Sequence, residues 1–214
     1  MKLYTYANSS AAYRVRIAMN LKSIKPEQVF VSLIKDGGEH HRPEYHAINP
    51  QELVPTLDVG GRLIGQSLAI IEYLDETHPT PRLLPHHPLD RARVRQIALA
   101  VACDMHPINN LSVRQYLKSE MKHSDAEIAV WYEHFIHRGF KAIETLLANS
   151  KETGRYCHGD EVTLADICLV PQVYNARRFK ISLEAYPTIT RIDAALCMLP
   201  AFAEAAPEKQ PDAA

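Results

Sequence analysis

Four stretches of this 214-residue chain carry residues whose types and spacing suit the binding of a small, anionic, peptide-like molecule. Ser9 and Ser10 stand between a run that reads as a strand, Lys2 to Tyr6, and a helical pattern carrying Val15, Ala18, Met19 and Leu21. The carboxyl end of a strand beside a helix start is where open α/β sheets bind ligands, although a helix cap is the ordinary role of a serine there, Ser10 above all. Val54 precedes Pro55, which pushes it to an extended conformation and leaves its N–H and C=O open to a peptide; the default for such a pair is a trans proline at a sheet edge. Gln66 and Ser67 open another helix, with Ser67 at the expected N-cap, and the unpaired N–H groups of that first turn suit a carboxylate. Asp104, His106, Asn109 and Asn110 surround Pro107 on an otherwise apolar helix, read here as a ligand-facing kink. Eleven histidines invite a metal reading, yet His40, His41 and His46 have no companion ligands at zinc-like spacing.

The elements that must hold these residues follow from periodicity. Lys2–Tyr6, the helix after Ser10 and a β-rich run over Gln28–Leu33 make a βαβ unit with parallel strands. Asp36–Asn49 is polar and Gly-containing, expected as a mobile loop with a short helix. Leu53–Ile64 reads as a hairpin around Gly60-Gly61, and Leu68, Ile71 and Leu74 mark the helix after it. The Pro-rich segment from Thr77 to Pro88 cannot be helical and separates two domains, residues 1–78 and 89–214, with 79–88 as linker. Beyond it the pattern is helical throughout. Val94 to Met105 and Ile128 to Leu146 recur at three- and four-residue steps, and Ser124/Glu127 and Thr163/Asp166 offer capping boxes. Pro171 is expected to kink the helix that follows Thr163, and the polar ending PEKQPDAA to fray.

SSAAYRVRIAMN, starting at Ser9, resembles the Ser-Ser-Cys-Ser-x-Arg-Val-Arg-Ile-Ala signature of the zeta class of the cytosolic glutathione transferases. LVPTL, GQSLAIIEYL, PTPRLLP, NLSV, GDEVTLADICLVPQV and the ending QPD resemble the same class, so the likeness covers essentially the whole chain. It implies an α/β thioredoxin-like N-terminal domain, a cis Pro55 and an all-α C-terminal domain. It also implies glutathione as cofactor and cis–trans isomerisation of a maleyl keto acid as activity, as in the maleylacetoacetate and maleylpyruvate isomerases of aromatic catabolism. In that scheme Ser9, with Ser10 beside it, supports the glutathione thiolate, which adds to the double bond, allows rotation and leaves again. Arg178 takes a substrate carboxylate, with Arg177 as a solvated neighbour. Val54 pairs with the cysteinyl backbone, and Gln66 and Ser67 take the γ-glutamyl end. His40, Gln51, His106 and Asn110 belong near the tripeptide, and Asp104 reaches across a homodimer interface.

The chain departs from the class at Ala11 and Ala12, where the signature has Cys-Ser, and at Asn8, an arginine in typical members. Leu111 and Ser112 stand where maleylpyruvate isomerases carry arginines, which favours maleylacetoacetate as substrate. The alternatives are maleylpyruvate isomerase, a glutathione transferase acting on haloacids, and a non-catalytic binding module on the same fold. A net charge of −1 implies no polyanion partner, so no nucleic acid is expected. No run of about 18 apolar residues suggests a membrane span and MKLYTYANSS has no signal-like apolar core, so a cytoplasmic protein is expected. Cys103, Cys157, Cys168 and Cys197 form no CxxC and read as reduced, mostly buried thiols.

Overall fold

A computed structural model describes residues 1–213. Contacts divide the chain into two compact units, Met1–Leu83 together with the segment from Met198 onward, and Leu84–Cys197. In the first unit the order is β1 (Lys2–Thr5), α1 (Ser10–Leu21), β2 (Glu27–Phe30), α2 (Pro43–His46), β3 (Thr56–Val59), β4 (Arg62–Gly65) and α3 (Ser67–Thr77). The sheet runs β2-β1-β3-β4, with β1 and β2 parallel and the other pairs antiparallel. Gly60 and Gly61, at φ 61° and 89°, make the tight hairpin turn, and Asp58 accepts the Gly61 N–H at 2.6 Å. Leu3 and Leu57 of the central strands are buried, as are Val15 and Ile17 of α1 and Ile70, Ile71 and Leu74 of α3.

β2 ends at Phe30, short of the expected Leu33, because Ser32 turns the chain. Its Oγ accepts the N–H of Ile34 and Lys35, and its own N–H goes to Glu39. The loop beyond holds α2 and is tied down: one carboxylate, Glu52, accepts from His41 at 2.6 Å and from His46 at 3.1 Å.

The second unit is helical: α4 (Pro88–Leu99), a wide π turn (Ala100–Met105), a 3-10 turn (Pro107–Asn109), α5 (Leu111–Ser119), α6 (Asp125–Ala148), α7 (Leu164–Arg178) and α8 (Pro187–Cys197). The expected kink around Pro107 is this π-plus-3-10 interruption. A Cβ on Gly139 of α6 would lie 2.2 Å from the sulfur of Met105, so glycine lets the π turn and α6 approach. Both capping boxes form: Ser124 with Glu127, and Thr163 with Asp166. α7 runs from Leu164 to Arg178 without interruption at Pro171. Arg177 is no solvated bystander; it pairs at 2.6 Å with Asp193 of α8, whose side chain is buried. Glu144 of α6 caps α8, accepting the N–H groups of Thr188 and Ile189. No helix among the described residues is long and apolar enough to cross a membrane.

Two boundaries differ from the reading of the sequence. The linker is fastened to the first unit by Lys22, whose ammonium donates to Asp75, His78 O and Pro81 O at 2.6–2.8 Å, and Leu83 is buried. The ending is neither frayed nor part of the second unit. Phe202, Ala205, Ala206 and Gln210 are buried, Arg16 donates Nε–H to Ala205 O at 3.0 Å, and Asp212 accepts the Ala7 N–H at 2.9 Å. Its polar residues are spent on backbone groups of the first unit, which composition cannot distinguish from solvation.

Candidate active site

The strand register decides which loops meet. Tyr4 lies opposite Thr56, and Thr56 opposite Gly65. The segments that leave β1 (Tyr6–Ser9), enter β3 (Val54–Pro55) and leave β4 (Gln66–Ser67) therefore gather at one end of the sheet.

Ser9 is the N-cap of α1, with φ −82° and ψ 115°, and its Oγ accepts the Ala12 N–H at 3.2 Å. Ser10, expected as the cap, is instead the first helical residue and buried. As an acceptor, the Ser9 oxygen keeps its own hydrogen to give elsewhere, and the bond it receives polarises that O–H. The helix end adds positive potential at the same point.

Val54–Pro55 is cis, as the resemblance implies. Val54 is buried in a cluster with Tyr6, Val31 and Tyr45. The carbonyl just before it, that of Leu53, is held twice, by Tyr45 Oη at 2.6 Å and Asn49 Nδ2 at 2.8 Å, and both side chains also reach Thr56 Oγ1 at 3.2 Å. These bonds fix the chain on both sides of Val54. Among the described residues its own N–H and C=O have no hydrogen-bond partner. Tyr45 and Asn49 escaped the sequence reading, having no motif of their own; their roles come from α2 folding back onto β3.

Gln66, not Ser67, is the N-cap of α3, at φ 65° and ψ 117°. That conformation costs a non-glycine residue about 1–3 kcal/mol and is kept where neighbours enforce it. Its side chain does not cap the helix; its Nε2 donates to Gln51 Oε1 at 2.9 Å. Ser67 is buried and accepts from Arg14 Nη1 at 3.3 Å. The first-turn N–H groups of α3 thus receive no capping side chain, a ready seat for a carboxylate. His40 is buried, its Nδ1 without a hydrogen-bond partner among the described residues. Burial first, and the adjacent His41 second, hold its pKa below the ordinary value, so it is the neutral ring that fits there.

In the second unit Asp104 is exposed on the π turn, and His106 is half-buried beyond it. Asn110 uses its side-chain oxygen to cap α5, accepting the Leu111 N–H at 2.6 Å. Asn109 donates to Tyr132 O at 3.1 Å, while its Oδ1 is buried with no partner among the described residues. Tyr132 and Phe179 stack with ring centroids 4.0 Å apart, and the Arg114 guanidinium lies 5.0 Å from the Phe179 centroid and 5.8 Å from that of Tyr132. Arg178, the residue before Phe179, is exposed. Burial pushes the Tyr132 phenol up to about 12, even though the charges of Arg114 and Arg178 act to lower it. Arg114 did not stand out in the sequence, where it reads as one more basic residue of a short amphipathic helix.

A four-stranded α/β unit presenting a cis-proline loop, a serine-capped helix and an uncapped helix N-terminus, with a helical unit after it, is the architecture of a glutathione transferase. The glutathione S-transferase N-terminal domain matches residues 3–82 and the C-terminal domain residues 106–204, and the chain belongs to that family. Within it the chain falls in the zeta class. A probable maleylacetoacetate isomerase of Vibrio cholerae is 52% identical over 99% of this chain and 97% of its own. A holo maleylpyruvate isomerase structure, described as a bacterial zeta-class enzyme, superposes with a TM-score of 0.97 at 48% identity over the full length of both chains. A maleylacetoacetate isomerase of Methylobacterium extorquens AM1, solved with malonate and glutathione, does so with 0.96 at 42% identity, again over all of both chains.

Proposed function

We propose that this protein is a glutathione-dependent isomerase that converts maleylacetoacetate to fumarylacetoacetate in aromatic catabolism. The observation that carries the reading is Ser9: a helix cap whose oxygen accepts from Ala12 and whose hydrogen remains to be given to a bound sulfur. Glutathione supplies the nucleophilic thiol. Val54 offers its N–H and C=O to the cysteinyl backbone, while the α3 N-terminus, with Gln66 and Ser67, receives the γ-glutamyl carboxylate. In this reading His40, Gln51, His106 and Asn110 serve the rest of the tripeptide, and Ser10 supports the turn that presents Ser9. The Ser9 hydroxyl and the α1 N-terminus lower the thiol pKa, each unit representing about 1.4 kcal/mol of differential stabilisation.

When bound, glutathione would supply a thiolate that adds to the cis double bond, leaves it single long enough to rotate, and is released as the trans alkene forms, with no net proton or electron consumed. A thiolate suits the step because it is both a good nucleophile and a good leaving group, unlike an alkoxide. All four cysteines lie in the second unit, so the unit that carries Ser9 has no thiol of its own. Arg178 holds a substrate carboxylate. Leu111 and Ser112 favour maleylacetoacetate over maleylpyruvate, since the latter's isomerases carry cations at those positions. A cytoplasmic homodimer, with Asp104 reaching the partner's site, completes the proposal and is checked by light scattering.

The deciding experiment follows isomerisation of maleylacetoacetate, maleylpyruvate and a haloacid spectroscopically, with and without glutathione. Fastest turnover on maleylacetoacetate, and none without glutathione, is expected. Conjugation of the haloacid without isomerisation would make the protein a transferase, and retention on immobilised glutathione without turnover of any of the three would make it a binding module.

A further inference from the structure

Arg114 lies over one stacked aromatic pair, Tyr132 and Phe179, Arg178 is the residue just before Phe179, and among the described residues neither arginine has an ion-pair partner. Arg114 is the more deeply held: it lies over both rings, and its Nε is buried with no hydrogen-bond partner among the described residues. The charge of Arg178 reaches both Arg114 and the Tyr132 phenol, so the cations are close enough to repel. Desolvation beside a second guanidinium, with no carboxylate, is costly for Arg114 unless something anionic joins it. The nearby hydrogen-bonding groups do not serve as that anion. Tyr132 remains a neutral phenol at physiological pH, and the free Asn109 Oδ1, on the segment just before α5, is a neutral acceptor.

We propose that Arg114 is a specificity-determining residue for the second carboxylate of a dicarboxylate ligand, the first being taken by Arg178. This rests on the isomerase reading for its biological substrate, but not for its chemistry: the pair is built for two carboxylates a few bonds apart. The planar guanidinium keeps its stacking on the rings while its Nε and Nη edge donates in plane to the carboxylate.

The test is equilibrium binding of maleate, a cis dicarboxylate, and of acrylate, its monocarboxylate counterpart, by calorimetry on the glutathione-loaded full-length protein. Arg114→Gln is expected to weaken maleate about tenfold or more, with acrylate and glutathione changed less than about twofold. Arg178→Gln is expected to weaken both acids. Arg114→Lys, which keeps the charge and loses the fork, falls between and serves if the glutamine variant does not fold. Equal loss of maleate and acrylate in the Arg114 variants, or a lowered melting temperature with the ratio intact, would show that Arg114 only props the rings and would overturn the assignment. Because no turnover is read, an inactive wild type with Arg114-dependent maleate binding would sink the isomerase reading and leave this one standing.

Discussion

At the scale of single residues, Ser9 caps α1 and, in the proposed function, donates to the thiol sulfur, and a substitution separates the two roles. Ser9→Ala removes a helix cap, costing about 1 kcal/mol of stability, and a preorganised donor to sulfur, expected to cost about 10²-fold in turnover. Glutathione still binds through Val54 and the α3 N-terminus; full turnover in the variant, measured alongside its melting temperature, would remove Ser9 from the chemistry. His40 makes a separate prediction about pH. Its folded pKa is depressed by burial, so its neutral ring contributes stability that is present above pH 6.5 and lost as the pH falls below it. Binding of S-methylglutathione, whose sulfur does not titrate, is expected to weaken from pH 7 to 5.5 by at most about tenfold per unit, and His40→Asn to flatten that slope. A slope unchanged by the substitution would remove His40 from the pH dependence of binding. The cis Pro55 and the meeting of the Ser9, Val54 and Gln66 segments were legible because their motifs are local in sequence. Tyr45, Asn49 and Arg114 were not, since each acquires its role only once the chain has folded, and the cap positions at Ser10 and Ser67 came out one residue late because the dihedrals of the preceding residue, extended at Ser9 and at positive φ at Gln66, are invisible to composition.

At the scale of elements, periodicity located the strands and helices, and what it missed were the fasteners between them. Asp166 shows how much one fastener holds. Its buried carboxylate accepts from the N–H and hydroxyl of Thr163 at 2.8 and 2.9 Å, which the capping-box pattern anticipates, and also from the Cys157 N–H at 2.8 Å, which it does not. Asp166→Ala is expected to destabilise the second unit by roughly 2–4 kcal/mol, the loss of a cap plus a buried donor left unpaired. Denaturant unfolding followed at Trp131, which lies in that unit, reads the effect; an unchanged midpoint would mean the box is ornamental. Glu144 at the start of α8 and Arg177 against Asp193 are fasteners of the same kind. The polar sequence at each of them looks like solvated surface until a partner helix is placed against it.

At the scale of the molecule, the division into a ligand-holding α/β unit and a helical unit was legible from the change in hydrophobic period at the Pro-rich segment. The destination of the last residues was not, because a polar ending satisfies folded backbone or water equally well. The Ala7 N–H held by Asp212 lies two residues before Ser9, and Arg16 joins the carbonyls of Tyr6, Ala7 and Ala205. A chain ending at Lys209 is expected to keep its glutathione affinity within about threefold and to lose about tenfold in turnover, since one hydrogen bond of about 1–1.5 kcal/mol near the nucleophile's support is lost. Unaltered kinetics in the shortened chain would confine the ending to packing. That return of the chain makes the first unit discontinuous, and time enters the fold. During synthesis Ser9 leaves the ribosome long before Asp212, so the nascent α/β unit waits with Arg16 lacking its Ala205 carbonyl until the returning segment emerges. The nucleophile's support is completed only when that segment arrives, and chains that stall before it carry a sheet but not a finished site.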